Sequence, residues 1–138
     1  MSLSAEIKKQ ITQNIERLTA KGAEYTDARF YTHDDTETLL LYDGNLEAND
    51  TTFESGLGVR VLYGGAWGFA ATSNVKEIDA CFDQACKNAM TAAKLVRVPL
   101  KMGKKPAHRG AFSSPIKQDP FTVSLKEKLD FLGAIDAR

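Results

Sequence analysis

Gly56-Leu57-Gly58-Val59-Arg60-Val61-Leu62-Tyr63-Gly64-Gly65-Ala66-Trp67-Gly68-Phe69-Ala70-Ala71-Thr72 is the stretch on which the fold turns. Two β-forming runs flank a glycine pair, and a two-residue hairpin loop that follows the twist of a sheet needs positive φ. With Gly64 and Gly65 as the loop, Tyr63 opposes Ala66, Val61 opposes Gly68, Val59 opposes Ala70 and Leu57 opposes Thr72. Neighbouring side chains point to opposite faces, so Leu62 opposes Trp67 and Arg60 opposes Phe69 on the other side. One face is thus branched on one strand and nearly bare on the other, as a closely packed helix requires. The opposite face carries Arg60, Leu62, Trp67 and Phe69 and is costly to leave in water, which makes these four the candidate interface. Gly68 supplies the bare strip, and Gly56 and Gly58 enter the first strand.

Upstream, Leu3, Ile7, Ile11, Ile15 and Leu18 form one stripe of a helix over residues 5–21, with Ser4 suited to its start and Gly22 to its end. From Tyr25 the period changes to two. Ala28 and Phe30 mark a strand to about Thr32, the cluster His33-Asp34-Asp35 predicts a turn, and a second strand covers Glu37 to Tyr42. Asp43-Gly44 is a favoured two-residue loop, with Gly44 as its glycine, and it sets Leu41 against Leu46 and Leu39 against Ala48. A third strand runs from Leu46 to about Phe53, its polar Asn49-Asp50-Thr51-Thr52 segment being a candidate sheet edge. The glycine hairpin adds two more.

Downstream, Asn74 and Glu77 form a capping-box pattern ahead of a helix that extends to about Val96. Its lower half is alanine-rich, which favours close approach to a neighbour. Residues 97–118 contain Pro99, Gly103, Pro106, Gly110 and Pro115 and six basic residues, Arg97, Lys101, Lys104, Lys105, Arg109 and Lys117. Phe112 is the single aromatic there, so a solvated connector is favoured and direct nucleic-acid binding disfavoured. Ser124 and Glu127 make a second capping box, followed by the stripe Leu125, Leu129, Leu132 and Ile135. That stripe has little local sequence to pack against and no terminating glycine or proline, so the chain is expected to continue past Arg138.

The expected architecture is therefore α+β: a five-stranded antiparallel meander packed by two long helices, then a connector and a truncated C-terminal helix. The expected organisation is an α+β domain over 1–96, the connector over 97–118 and the start of a helical segment over 119–138. A length of 138 residues, 43% hydrophobic and 26% charged, suits a globular domain able to bury a core. Eighteen basic and eighteen acidic residues cancel, which gives no global argument for nucleic acid or membrane. No apolar run approaches the ~20 residues that span a bilayer. Met1-Ser2-Leu3-Ser4 lacks the pattern of a secretory signal, so a cytoplasmic setting is expected.

Catalytic chemistry is sparse. His33 and His108 lie 75 residues apart without partners at metal-ligand spacing. Cys81 and Cys86 are about 140° apart around a helix and are expected to be free thiols. Glu47, Asp50 and Glu54 lie along one strand and are expected to face solvent, with nothing to shift their pKa. Gly56 and Gly58 enter a strand rather than open a helix, which excludes a dinucleotide fingerprint. No catalytic, metal or cofactor-binding residue is assigned.

A resemblance adds to this. The N-terminal amphipathic helix, the Asp43-Gly44 hairpin, Gly56-Leu57-Gly58-Val59-Arg60-Val61, and Gly65-Ala66-Trp67-Gly68-Phe69-Ala70 before a capped helix together resemble the start of the TldD/PmbA family. Asp119-Pro120-Phe121-x-Val123-Ser124-Leu125-x-x-Lys128-Leu129 resembles the family's sequence after its connector. The pattern is nearer to the TldD branch. The resemblance implies zinc metallopeptidases, also described as modulators of DNA gyrase and peptide-maturation factors, whose TldD members carry a His-Glu-x-x-x-His helix further on. This sequence contains no such helix. The implied role is a non-catalytic N-terminal domain helping to form a dimer with a homologous subunit and to enclose unfolded peptides, with zinc held elsewhere in the parent. Three other readings stay open: both sheet faces covered within the domain, a stand-alone binding module for protein or nucleic acid, and a fragment with a catalytic site of its own.

Overall fold

The computed structural model describes residues 4–103, 106 and 108–136, with backbone alone at His33, Asp34 and Asp35. Of the residues read above, Met1, Ser2, Leu3, Lys104, Lys105 and Arg138 lie outside the described residues, as do the side chains of His33, Asp34 and Asp35. The elements are α1 (Ala5–Ala20), β1 (Tyr25–Tyr42), β2 (Asn45–Tyr63), β3 (Ala66–Thr72), α2 (Ile78–Ala93) and α3 (Leu125–Asp136). Short 3-10 turns occupy Val75–Glu77 and Pro120–Thr122. The strands form one sheet in the order β1-β2-β3.

The expected five-stranded meander with two long helices is corrected: the described residues form three strands and three α-helices. The expected turn at His33-Asp34-Asp35 is absent, since β1 runs through it unbroken. The polar Asn49–Thr52 segment and the former fourth strand likewise merge into the 19-residue β2. Aspartates favour turns but do not enforce them. Neither merged segment holds a proline, and neither has the positive-φ residues of a tight loop. The second segment is polar where the strand is solvated: Asn49 to Ser55 are all exposed.

Two compact units divide the chain, one comprising Met1–Asp34 and Phe53–Lys104, the other Asp35–Thr52 and Lys105–Arg138. In the first, the register of β2 with β3 is Leu57 with Thr72, Val59 with Ala70, Arg60 with Phe69, Val61 with Gly68, Leu62 with Trp67 and Tyr63 with Ala66. That is the pairing the glycine loop dictates: Gly64 and Gly65 have φ of 55° and 73°. Leu57, Val59 and Val61 are almost wholly buried with Leu18 of α1 and Ile78, Phe82, Ala85 and Ala89 of α2. Ile7, Ile11 and Ile15 complete the α1 side of this core. Both helices therefore cover the face of the sheet that bears the branched residues.

Gly68 explains how closely α2 approaches. A Cβ there would stand 2.1 Å from the Ala85 carbonyl oxygen and 2.2 Å from the Ala89 nitrogen, so backbone meets backbone. The Asn88 side-chain amide also donates to the Phe69 carbonyl at 2.9 Å, fastening α2 to β3. The loop is held from outside. Gly65 donates its N–H to the Glu24 carboxylate at 3.0 Å, and its carbonyl accepts from Leu100 at 3.0 Å. Pro99 lies so near Gly65 that any side chain there would collide with it.

The helix ends follow the sequence signals with one change. Ser4 accepts from the Ile7 N–H at 3.2 Å, and Gly22 takes φ of 95° after α1. Asn74 caps a 3-10 turn instead of an α-helix, accepting from Lys76 at 3.0 Å while Glu77 binds the Asn74 amide and the Thr72 hydroxyl. The α-helix itself begins at Ile78 and stops at Ala93, short of the expected Val96.

A polar seam joins α1 to α2. Asn14, 5% exposed, donates to the Gln10 carbonyl at 2.9 Å and to Asp79 at 2.6 Å, and accepts from Arg17 at 2.7 Å. Arg17 also pairs with Asp83 at 2.6 Å. The hydrogen bonds from Asn14 and then Gln10 hold the Asp79 carboxyl below its ordinary pKa of 3.8.

The second unit closes around the other hairpin. Asp43 and Gly44 take φ of 48° and 73°, a loop with both residues left-handed. The Gly44 N–H donates to Asp136 at 2.7 Å, Lys128 pairs with Glu37, and Gly133 lies against Leu41. Ser124 and Glu127 cap α3 reciprocally, at 3.1 Å for the Ser124 N–H and 3.3 Å for the Glu127 N–H. Of the α3 stripe, Leu129 and Leu132 are half-buried, while Leu125 and Ile135 are exposed.

Gly68→Ala should lower stability by about 2 kcal/mol or more, since the helix must retreat. Gly103→Ala, with open space around it, should change stability by less than about 0.5 kcal/mol in the same urea titration. Equal losses would show that α2 does not rest on Gly68. A second prediction concerns acid. Because folding lowers the Asp79 pKa, its contribution is complete above the ordinary value of 3.8 and disappears as pH falls through the lower folded-state value. Asp79→Asn, which keeps an acceptor but loses the charge, should flatten the acid limb of a stability–pH curve below about pH 4. An unchanged limb would remove Asp79 from it.

Candidate interaction face

On the face of the hairpin away from the helices, four side chains form a layered set. The Arg60 Nε donates to both Asp27 carboxylate oxygens, at 3.3 and 3.1 Å, and its Nη2 also contacts that carboxylate. The guanidinium sits over the Trp67 ring, 5.5 Å from its centroid. Tyr25 meets the same ring edge-on, with centroids 5.8 Å apart and planes at 84°. Phe69 covers the next step of the strand: a Cβ at Gly58 would touch its ring at 3.5 Å. A glycine beneath an aromatic is a stable cross-strand arrangement, because the ring supplies the apolar cover the glycine lacks.

The four candidate residues thus separate. Leu62 is fully buried and Arg60 is committed to Asp27, so neither is free to meet a partner. The Asp27 hydrogen bond, with its charge, raises the Arg60 pKa, so the guanidinium stays charged. Trp67 at 37% and Phe69 at 59% exposure remain available. What the sequence reading missed is the contribution of β1, Tyr25 and Asp27. The signal was there: Tyr25 and Asp27 alternate with Thr26 and Ala28, so one strand face carries an aromatic and an acid ready for Trp67 and Arg60.

The expected structural glycines have distinct settings. Gly44, Gly64 and Gly65 take positive φ in loops, Gly68 meets α2, Gly58 lies under Phe69, and a Cβ on Gly56 would be 3.4 Å from the Thr72 carbonyl. The polar Asn49–Thr52 segment belongs to the middle strand, yet β3 pairs only with Leu57 to Tyr63 of β2. Beyond that pairing, β1 is the sole neighbour of β2 among the described residues.

Other groups are dispersed. His108 is exposed in the connector, and Glu47, Asp50 and Glu54 are exposed on β2. Cys81 and Cys86 are buried free thiols, and burial raises the Cys81 pKa, leaving it a weak nucleophile. Among the described residues no group of three or more His, Cys, Asp or Glu could hold a metal ion. These residues do not fit a zinc centre, which needs three or four such donors converging at about 2 Å. No helix of the described residues is long and apolar enough to cross a membrane.

Comparison with known proteins gives concordant findings. The family model for PmbA/TldA metallopeptidase domain 1 matches residues 30–89. The metalloprotease MJ0996 of Methanocaldococcus jannaschii is 29% identical over 123 residues, which make up 87% of this chain and 27% of that protein. TldE from Thermococcus kodakarensis has a similar fold, with a TM-score of 0.58 and 17% identity, over 86% of this chain and 27% of that one. The chain spans about a quarter of the length of these relatives, 27% in each case. The glycine hairpin, the start of the helix seated on it and the family match fall on the same stretch, and these likenesses together support a domain of the PmbA/TldD domain-1 type.

Proposed function

We propose that this chain is the non-catalytic N-terminal part of a TldD/PmbA-type zinc metallopeptidase that processes unfolded peptides, and that it serves assembly with a homologous subunit and enclosure of the substrate. The observation that carries this reading is the exposed pair Trp67 and Phe69 on a face whose backbone and neighbours are fixed. Arg60 and Tyr25 lock Trp67 in place, so burying it against a partner costs little side-chain entropy. Pre-organised aromatics of this kind are typical anchors of protein interfaces. The zinc belongs to another part of the parent protein, and no catalytic step is assigned to residues of this chain. Buried free thiols at Cys81 and Cys86 suit a reducing compartment, which supports a cytoplasmic setting.

A second use of the fold is favoured by the one-sided pairing of β2 before Leu57. An unpaired strand offers main-chain donors and acceptors to any extended peptide regardless of its side chains. That suits a protein that encloses unfolded substrates.

Trp67→Ala together with Phe69→Ala, introduced into the parent protein, should weaken subunit association by about tenfold or more in sedimentation velocity. In this chain alone the double variant should change stability much less than Gly68→Ala does. Unchanged association would remove the face from assembly. The purified chain should also show no zinc-dependent cleavage of an unfolded peptide, and cleavage that rises with added zinc would overturn the non-catalytic assignment.

A further inference from the structure

Away from Trp67, on the helix-covered side of the sheet, a groove of about 910 Å³ opens beside the C-terminal halves of α1 and α2. Its floor is apolar: Leu18 from α1, Tyr63 from the end of β2, and Cys86 and Met90 from α2. Its rim is basic, with Lys21 at the end of α1 and Lys87 and Lys94 on α2. All three lysines are exposed, and among the described residues none of them takes part in an ion pair. Asp83, the one acid on the rim, is already neutralised by Arg17 at 2.6 Å. The groove thus presents three unmatched positive charges around an apolar floor.

We infer that this groove binds a short acidic, amphipathic peptide segment, one or two apolar side chains seated on Met90 and Tyr63 and flanking carboxylates on Lys87, Lys94 and Lys21. Three observations favour a peptide over a lipid-like anion. Lys87 on α2 and Lys94 at its C-cap are seven residues apart, roughly 10 Å along the helix axis, a rim longer than one carboxylate. About three residues of extended peptide cover that distance, so acids at i and i+3 with apolar residues between them match the rim. The groove is open to solvent and 44% of the Met90 surface is exposed, so it lacks the closed walls that burying a whole acyl chain requires. Methionine also adapts to different apolar side chains, as a peptide-binding surface needs. Lysines near helix C-termini complement the helix dipole in any case, which accounts for Lys21 and Lys94 singly but not for Lys87 or the apolar floor between them. The site is separate from the Trp67 face, so its failure leaves the assembly proposal untouched.

The test is fluorescence anisotropy on the full chain with a fluorescein-labelled peptide Gly-Glu-Leu-Phe-Glu-Gly, and the same peptide with Gln for both Glu. The acidic peptide should bind saturably, about tenfold or more tighter than its Gln counterpart, and its binding should weaken with salt. Lys87→Glu with Lys94→Glu should abolish that preference, while Met90→Asp should weaken binding of both peptides. Circular dichroism should show all variants folded, since the altered residues are exposed. Equal binding of the two peptides, an undiminished preference in the double variant, or no saturable binding would overturn the inference. So would saturable binding of octanoate without binding of the peptide, which would assign the groove to a lipid-like anion.

Discussion

The fold depends on one close approach, the backbone of Gly68 against the backbone of α2 between Ala85 and Ala89. A sheet with branched residues on one strand and almost nothing on the next can seat a helix only where the side chains are missing. Ala85 and Ala89 present the same lack of bulk from the helix side, and both are fully buried. The contact fixes which face of the hairpin is core. Once Val61 and Gly68 point towards α2, the alternation of the strand sends Arg60, Trp67 and Phe69 the other way.

That second face carries the exposed aromatics Trp67 and Phe69. Its arginine is not a free charge but a strut, paired with Asp27 and laid on Trp67, with Tyr25 closing the other approach. Such a layered set braces Trp67 while leaving part of its ring exposed. A zinc centre needs donors that the described residues do not bring together. The basic groove beside α1 and α2 extends the same logic to peptides with acidic residues, on the opposite side of the sheet.

Much of this was legible in the sequence because local rules decided it. Gly64-Gly65 and Asp43-Gly44 each set a loop, Ser4 and Ser124 each start a helix, and the stripe from Ile7 to Leu18 faces the core. The strand count was not legible. His33-Asp34-Asp35 and Asn49–Thr52 read as interruptions because polar residues are common in turns, whereas here the strands β1 and β2 run through them. Leu62 shows the other limit: alternation places it correctly on the Trp67 face, but burial depends on what lies over that face, which no strand pattern encodes. Asp27 and Tyr25 were missed for a similar reason, since their role exists only through pairing between strands.

The most direct test is a nuclear Overhauser map of the labelled chain around Gly68 and Trp67, the single tryptophan. The Gly68 α-protons should show strong cross-peaks to the Ala89 amide, while the Trp67 indole shows them to Tyr25 and Arg60 and none to α2. Indole cross-peaks to α2, with none from Gly68, would place the helix on the aromatic face and contradict the account.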